Sequence, residues 1–189
     1  EAGREYSTVT VGEFELHNMI LPPFKAAAKA GVATFMNSFN DIDGIPATGH
    51  RGLQRDILKG DWNWSGFIVS DWGSIGEMKA HGFARDKKHA AEIALNAGSD
   101  MDMESYAYEA SLATLLEENK ISLAHLDDAV KRILRVKFQL GLFDDPYKYC
   151  DEEKEKTDIY TPEHLAVARD AAKKSIVLLK NDNAILPIS

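Results

Sequence analysis

The residues best suited to chemistry in this sequence are an acid followed at once by an indole, Asp71-Trp72. The carboxylate offers a nucleophile, and the indole beside it a flat apolar platform suited to a sugar ring. The preceding residues 67–70, Phe-Ile-Val-Ser, combine β-branched and aromatic character between Gly66 and Gly73, which predicts a short strand buried on both faces. Asp71 then falls at the carboxyl end of that strand, where parallel α/β architectures gather side chains from several loops around one point. The same residue also reads as a helix N-cap, accepting from the first amides of a helix over residues 75–81, and caps far outnumber catalytic carboxylates.

Other candidates weigh less. Asp100 and Asp102 lie two apart and face the same side of a strand, but no His or third acid follows at metal-ligand spacing, so strand-end chemistry is favoured over a metal. Asp41 and Asp43 resemble part of a calcium loop that lacks its closing Glu, so a turn is the better reading. His50, His81, His89 and His164 are scattered singly and read as surface or packing residues. Ser38 and Asn40 can reach sugar hydroxyls, although such loop residues most often serve the backbone. Cys150 is the one cysteine and reads as a free thiol.

The elements that must position Asp71 alternate between strand and helix. Residues 11–31 predict a helix in two pieces, broken at Pro22-Pro23 and closed by Gly31. Residues 33–36 predict a short buried strand, and the polar run 37–46 a long loop of the kind that often binds ligands. A helix follows over about residues 49–58, then the strand at 67–70. Residues 86–96 predict a helix ended by Gly98, and residues 100–103 a third strand or strand end. This alternation predicts a parallel sheet. Its three strands are too few for a complete eight-stranded barrel, which takes about 250 residues. Residues 106–118 and 122–140 predict helices, the second with an apolar stripe through Leu126, Val130, Ile133, Leu134 and Phe138, Ser122 as N-cap and Gly141 just past its end. Residues 144–160 are charged and aperiodic and read as a linker over the surface, and a last helix is expected from Pro162 to about Leu179.

The 189 residues suit one or two domains, with 44% hydrophobic and 28% charged residues as in soluble globular proteins. A net charge of −8 argues against nucleic acid or an anionic membrane surface as partner. No apolar run approaches the roughly 20 residues that span a bilayer, and residues 1–6 do not have the pattern of a signal peptide.

Four separated blocks carry a family resemblance: residues 66–72 (GFIVSDW), residues 97–103 (AGSDMDM), Arg132-Ile133-Leu134 with residues 137–143, and residues 175–181 (SIVLLKN). In this order they resemble glycoside hydrolase family 3, and within it the bacterial periplasmic type of β-glucosidase. The resemblance implies an α/β fold, the C-terminal part of a TIM-like (β/α) barrel with trailing helices. Residues 1–143 would be the C-terminal half of the barrel domain, 144–160 a surface linker, and 161–189 a helix and strand leading toward an α/β sandwich domain.

The resemblance further implies a retaining exo-glycosidase that releases terminal β-D-glucose from a small glucoside or oligosaccharide. Asp71 would be the nucleophile, with Trp72, Phe39, Met36, Ser38 and Asn40 around the sugar. Retention requires two carboxyl groups about 5 Å apart, one attacking the anomeric carbon and one protonating the leaving oxygen. Phe39 stands where many members have Tyr, so the hydroxyl contact that a Tyr makes to the nucleophile is missing. The family's acid/base Glu belongs to the sandwich domain, and an early Asp, an Arg and a Lys-His pair that hold the sugar belong to the earlier barrel half. The chain alone is therefore expected to be inactive. No cofactor or metal is implied, and periplasmic or secreted placement follows the family habit. Two other classes fit parts of the sequence: a silent sugar-binding or structural module, and a phospho-accepting receiver domain, in which the acidic pair should precede the acceptor Asp rather than follow it.

Overall fold

The computed structural model describes residues 6–188; the expectation about the opening residues lies for the most part outside them. The chain divides into two compact units, one ending at Asp144 and one starting at Asp145.

The first unit is built on an arc of parallel strands. β2 (Thr34–Met36) pairs in parallel with β5 (Phe67–Val69), Met36 lying opposite Val69. Beyond β5, Val69 forms a parallel bridge with Met101, so the segment predicted as a third strand is a single pairing point. Helix α4 (Lys87–Ala97) leads into it: Asp86 caps the first turn by accepting from the His89 amide, and Gly98 ends it at φ +114°. These connections make the unit a segment of a TIM-like (β/α) barrel.

Side chains alternate across this arc. Ile68 is buried and contacts Leu58 and Trp64, with Phe35 and Trp62 packed against them. On the opposite face Met36, Val69 and Met101 form a row in which both methionines are exposed. The expected burial of residues 67–70 on both faces is thus corrected: Phe67 and Val69 are only half-buried. Close packing around Gly66 demands that glycine, because a Cβ there would lie 2.2 Å from the Ala33 carbonyl oxygen and 2.3 Å from Trp64.

A small second sheet crowns the carboxyl end of β2. β1 (Thr8–Val9) runs parallel to β3 (Asp41–Ile42), which returns antiparallel as β4 (Ile45–Pro46). Asp43 and Gly44 both take positive φ, 51° and 82°, as a type I′ hairpin turn requires. The loop expected over 37–46 is therefore in part a hairpin, and its Asp-Gly pair is the local signal for it.

The first helical stretch differs from its expected shape. α1 (Glu13–Glu15), a π-type turn (Leu16–Ile20) and α2 (Leu21–Lys29) run on without a break. Pro22 and Pro23 follow directly on the π-type turn, whose wider i→i−5 bonding, as from the Leu21 amide to the Leu16 carbonyl, precedes the two missing amide donors. Residues 47–49 form one 3₁₀ turn, and the next helix, Gly52–Asp61, is of π type. A larger core joins α3 (Ser74–Glu77), α4 and α5 (Ala107–Glu117) through Ile75, Met78, Leu95 and Leu115. α6 (Leu123–Gln139) is capped by Ser122, but of its stripe Val130, Leu134 and Phe138 are exposed, and Ala129 is its buried residue.

The second unit contains α7 (Glu152–Asp158) and α8 (Pro162–Ser175). Asp151 caps α7 by accepting from the Glu153 and Lys154 amides, so the expected linker is partly helical. α8 begins at the Thr161 cap and ends earlier than expected, leaving Ile176 to Leu179 non-helical and exposed. No helix among the described residues is long and apolar enough to cross a membrane.

A buried ion pair pins the third strand position to β5. Asp100 accepts from the Ile68 amide at 2.8 Å and from Lys59 Nζ at 2.6 Å, and Lys59 also donates to the Gly98 carbonyl at 2.7 Å. Burial pushes the Lys59 ammonium down to about 8 and the Asp100 carboxyl up, each against the attraction of its partner. Such a pair contributes little net stability, but losing one member strands the other charge. Lys59→Met is therefore expected to destabilise the protein by about 3–5 kcal/mol. Adding Asp100→Asn, which keeps an acceptor for Ile68, should recover much of the loss, as read from chemical denaturation.

Candidate active site

The loops at the carboxyl ends of β2 and β5 and past Met101 converge, and their positions rest on a buried polar web. Asn37 donates through Nδ2 to Ser99 Oγ at 2.7 Å, and the Ser99 hydroxyl lies within donor reach of Gln54 Oε1 and the Thr48 carbonyl. Gln54 Nε2 donates to the carbonyls of Ala47 and Thr48, both at 3.0 Å. Thr48 Oγ1 bonds Ser74 Oγ at 2.9 Å, tying the segment after β4 to the start of α3.

Asp71 follows this scaffold directly. Ser70, fully buried, receives the Met103 amide on its hydroxyl at 2.8 Å and donates to the Asp71 carbonyl at 2.9 Å. Its own amide donates to Met101 O at 2.9 Å, and Gly73 N donates to Met103 O at 2.7 Å. Two positions beyond Val69, Asp71 shares the open face of the arc and is half-buried.

The N-cap alternative for Asp71 does not hold. α3 starts at Ser74, one residue before the expected start, follows Gly73 at φ +70°, and has no side-chain cap. The Asp71 carboxylate instead accepts the adjacent Trp72 amide at 2.7 Å through Oδ1. Its second oxygen has no partner among the described residues. Trp72, 64% exposed, presents its ring to solvent beside this carboxylate.

The residues expected around the sugar divide. Met36, Ser38 and Asn40 line an apolar cavity of about 590 Å³ that runs against α2 and β2, and neither Asp71 nor Trp72 lines it. Asn40 Nδ2 donates to the Ser7 carbonyl at 3.0 Å, so this side chain also holds the chain running into β1. Phe39 stacks on Tyr6 with ring centroids 4.7 Å apart and planes at 24°.

The acidic pair after β5 is also corrected. Asp100 is buried in the ion pair with Lys59, behind the sheet rather than at the strand-end loops. Asp102 opens α5: its oxygens accept the Ser105 hydroxyl and the Ala107 and Tyr108 amides, the latter two at 2.7 and 3.1 Å. With both acids so engaged, the receiver-domain alternative has no acidic pair to bind a cation. Among the described residues no group of three or more His, Cys, Asp and Glu side chains is poised for a metal.

Ser70, Thr48, Glu77 and His81 make contacts at this rim that no local sequence pattern announces. A lone Ser or Thr carries no pattern of its own, and Glu77 and His81 matter only through partners 71 and 40 positions away. His81 Nδ1 lies 2.8 Å from Asp41 Oδ1, and Glu77 Oε1 lies 3.4 Å from the Tyr6 hydroxyl. Glu77 Oε2 is buried without a hydrogen-bond partner.

Fold and rim together define a segment of a (β/α) barrel that carries a carboxylate and an indole at its carboxyl end. The chain belongs to glycosyl hydrolase family 3: residues 1–136 match the family's N-terminal domain. It is 39% identical over 191 residues to the periplasmic β-glucosidase of Salmonella typhimurium, covering all of this chain and 25% of that protein. It is 38% identical over 187 residues to a β-xylosidase of Formosa agariphila, covering 94% of this chain and 26% of that one. The solved β-glucosidase of Listeria innocua in complex with glucose matches with a TM-score of 0.83 at 43% identity, over 100% of this chain and 26% of its own. The chain thus spans about a quarter of the length of the relatives it matches.

Because the Trp72 ring packs against so little, Trp72→Ala is expected to leave folding stability within about 0.5 kcal/mol. A much larger loss in chemical denaturation would make Trp72 a structural residue instead.

Proposed function

We propose that this chain carries the nucleophile segment of a retaining exo-glycosidase, a β-glucosidase that releases terminal β-D-glucose through a covalent glycosyl-aspartate. The observation that supports it most is the Asp71 carboxylate, half-buried on the open face at the end of β5, with one oxygen held by the Trp72 amide and the other unengaged. A carboxylate so held can attack an anomeric carbon in line while its orientation stays fixed.

In the first step an Asp71 oxygen bonds to the anomeric carbon as the bond to the leaving oxygen breaks, and that oxygen takes its proton from a general acid. In the second step water, losing a proton to the same group, displaces the carboxylate. We place the general acid, as the family resemblance implies, on a Glu elsewhere in the protein to which this chain belongs. Trp72 gives the sugar's apolar face a surface, with Met36 at the end of β2 and Ser38 and Phe39 on the loop after it. The solved relative from Listeria innocua that binds glucose, and the periplasmic relative from Salmonella typhimurium, favour a glucoside substrate and a periplasmic setting. The xylosidase relative makes a terminal β-xyloside the second substrate to assay.

Asp71→Ala in the complete gene product should lower kcat on an aryl β-glucoside by about 10⁴-fold, the scale on which removing a nucleophile acts. Added azide should restore turnover and yield the α-glucosyl azide, because the small anion attacks from the face Asp71 vacates. An undiminished kcat would refute the assignment.

A further inference from the structure

We infer that His81 is a positioning residue for the sugar-binding loop: through Asp41 it fixes the β3–β4 hairpin, and with it Phe39, beside the carboxyl end of β5. The inference rests on the glycosidase reading above for its functional consequence, and on contacts alone for its structural part.

The hairpin needs an external anchor. Its strands are two residues each, β1 adds only two more, and ladders this short are not stable in isolation. Two attachments meet at its first residue. Asp41 pairs with Thr8 of β1, and its carboxylate meets His81 Nδ1 at 2.8 Å with the two side chains only 24% and 18% exposed. A carboxylate of this kind accepts, so the imidazole carries its proton on Nδ1 and donates. Shielded from solvent to this degree, the bond is stronger than an ion pair on an open surface.

The other end of this contact belongs to the nucleophile's own loop. The Ser74 amide bonds the Asp71 carbonyl at 3.1 Å, α3 starts at Ser74, and the His81 amide donates to Glu77 O at 3.0 Å one turn later. Glu77 and His81 point the same way: Glu77 Oε1 reaches the Tyr6 hydroxyl, and the His81 ring lies 6.1 Å from the Tyr6 ring, tilted by 56°. Tyr6 stacks in turn on Phe39. The segment from α3 to His81, which starts three residues past Asp71, thus holds the aromatic side chain of the neighbouring loop, both through the hairpin and through the tyrosine. Placement of the sugar relative to the nucleophile then depends on a histidine that need not touch it.

The test uses two readouts. In the complete gene product, His81→Ala should raise KM for an aryl β-glucoside about five-fold, as expected for loss of one charge-assisted hydrogen bond, with a smaller fall in kcat. His81→Asn, whose Nδ2 donor occupies the place of Nδ1, should restore KM. In the same protein, His81→Ala should speed amide exchange at Asp43 and Ala47, the hairpin donors, and leave Ser70 and Asp100 unchanged. Unaltered exchange at Asp43 and Ala47, an unaltered KM, or an Asn variant no better than Ala overturns the inference, as does a loss of protection at Ser70 and Asp100 that marks general unfolding. If Asp71→Ala proves fully active, the glycosidase reading fails while the exchange measurement still decides the anchoring role.

Discussion

The position of Asp71 depends on one buried carboxylate, that of Asp100. The third strand meets β5 at one bridged pair, Val69 with Met101, too little pairing to fix a register unaided. Asp100 adds what the ladder lacks. Its side chain accepts the Ile68 amide, its own amide and that of Met101 donate to the Ile68 carbonyl, and Lys59 closes the charge from behind. Burial drives the Lys59 ammonium toward about 8 and the Asp100 carboxyl upward, so each charged form is disfavoured there. The pair therefore acts on register more than on net stability. Once register is fixed, Ser70 reaches Met101 and Met103, and the Asp71 backbone has its place.

The alternation of a strand converts that register into a division of labour. Ile68 and Ser70 face the packed layer, where one is buried in apolar contacts and the other joins loop to loop through its hydroxyl. Val69 and Asp71 face the open side. A slip of one residue would exchange these sets, placing the Asp71 carboxylate in the buried position of Ser70 and turning Ile68 outward. Gly66 guards the same register from the other end, since any side chain there collides with the Ala33 carbonyl. Stability of the arc and exposure of the carboxylate are thus set by the same few contacts.

Local signals were legible from the sequence wherever a single short-range mechanism decides the outcome. Asp86, Ser122 and Thr161 cap the helices they precede, and Gly98 ends its helix in the left-handed region. The short strands β2 and β5 lie where β-branched and aromatic residues cluster. Pro22-Pro23 suggested a break because proline opposes helix interiors, yet a π-type turn before them absorbs the strain. The Asp43-Gly44 turn was hidden inside a run whose polarity suggested a loop. At the site, the adjacent pair Asp71-Trp72 is visible as a motif, whereas Asp41 with His81, Tyr6 with Phe39, and Lys59 with Asp100 are about 30 to 40 positions apart. Nothing local distinguishes these residues, because tertiary contact alone gives them their roles.

The proposed function turns on a bond between the Asp71 carboxylate and the anomeric carbon of a β-glucoside. A 2-deoxy-2-fluoro glucoside with a good leaving group slows the second step more than the first and leaves the sugar attached to its acceptor. Incubating it with the complete gene product, digesting and sequencing the labelled peptide by mass spectrometry locates that bond. The account predicts one fluoroglucosyl group on Asp71, in the peptide containing Ser70 and Trp72. A stoichiometric label on any other residue would contradict it.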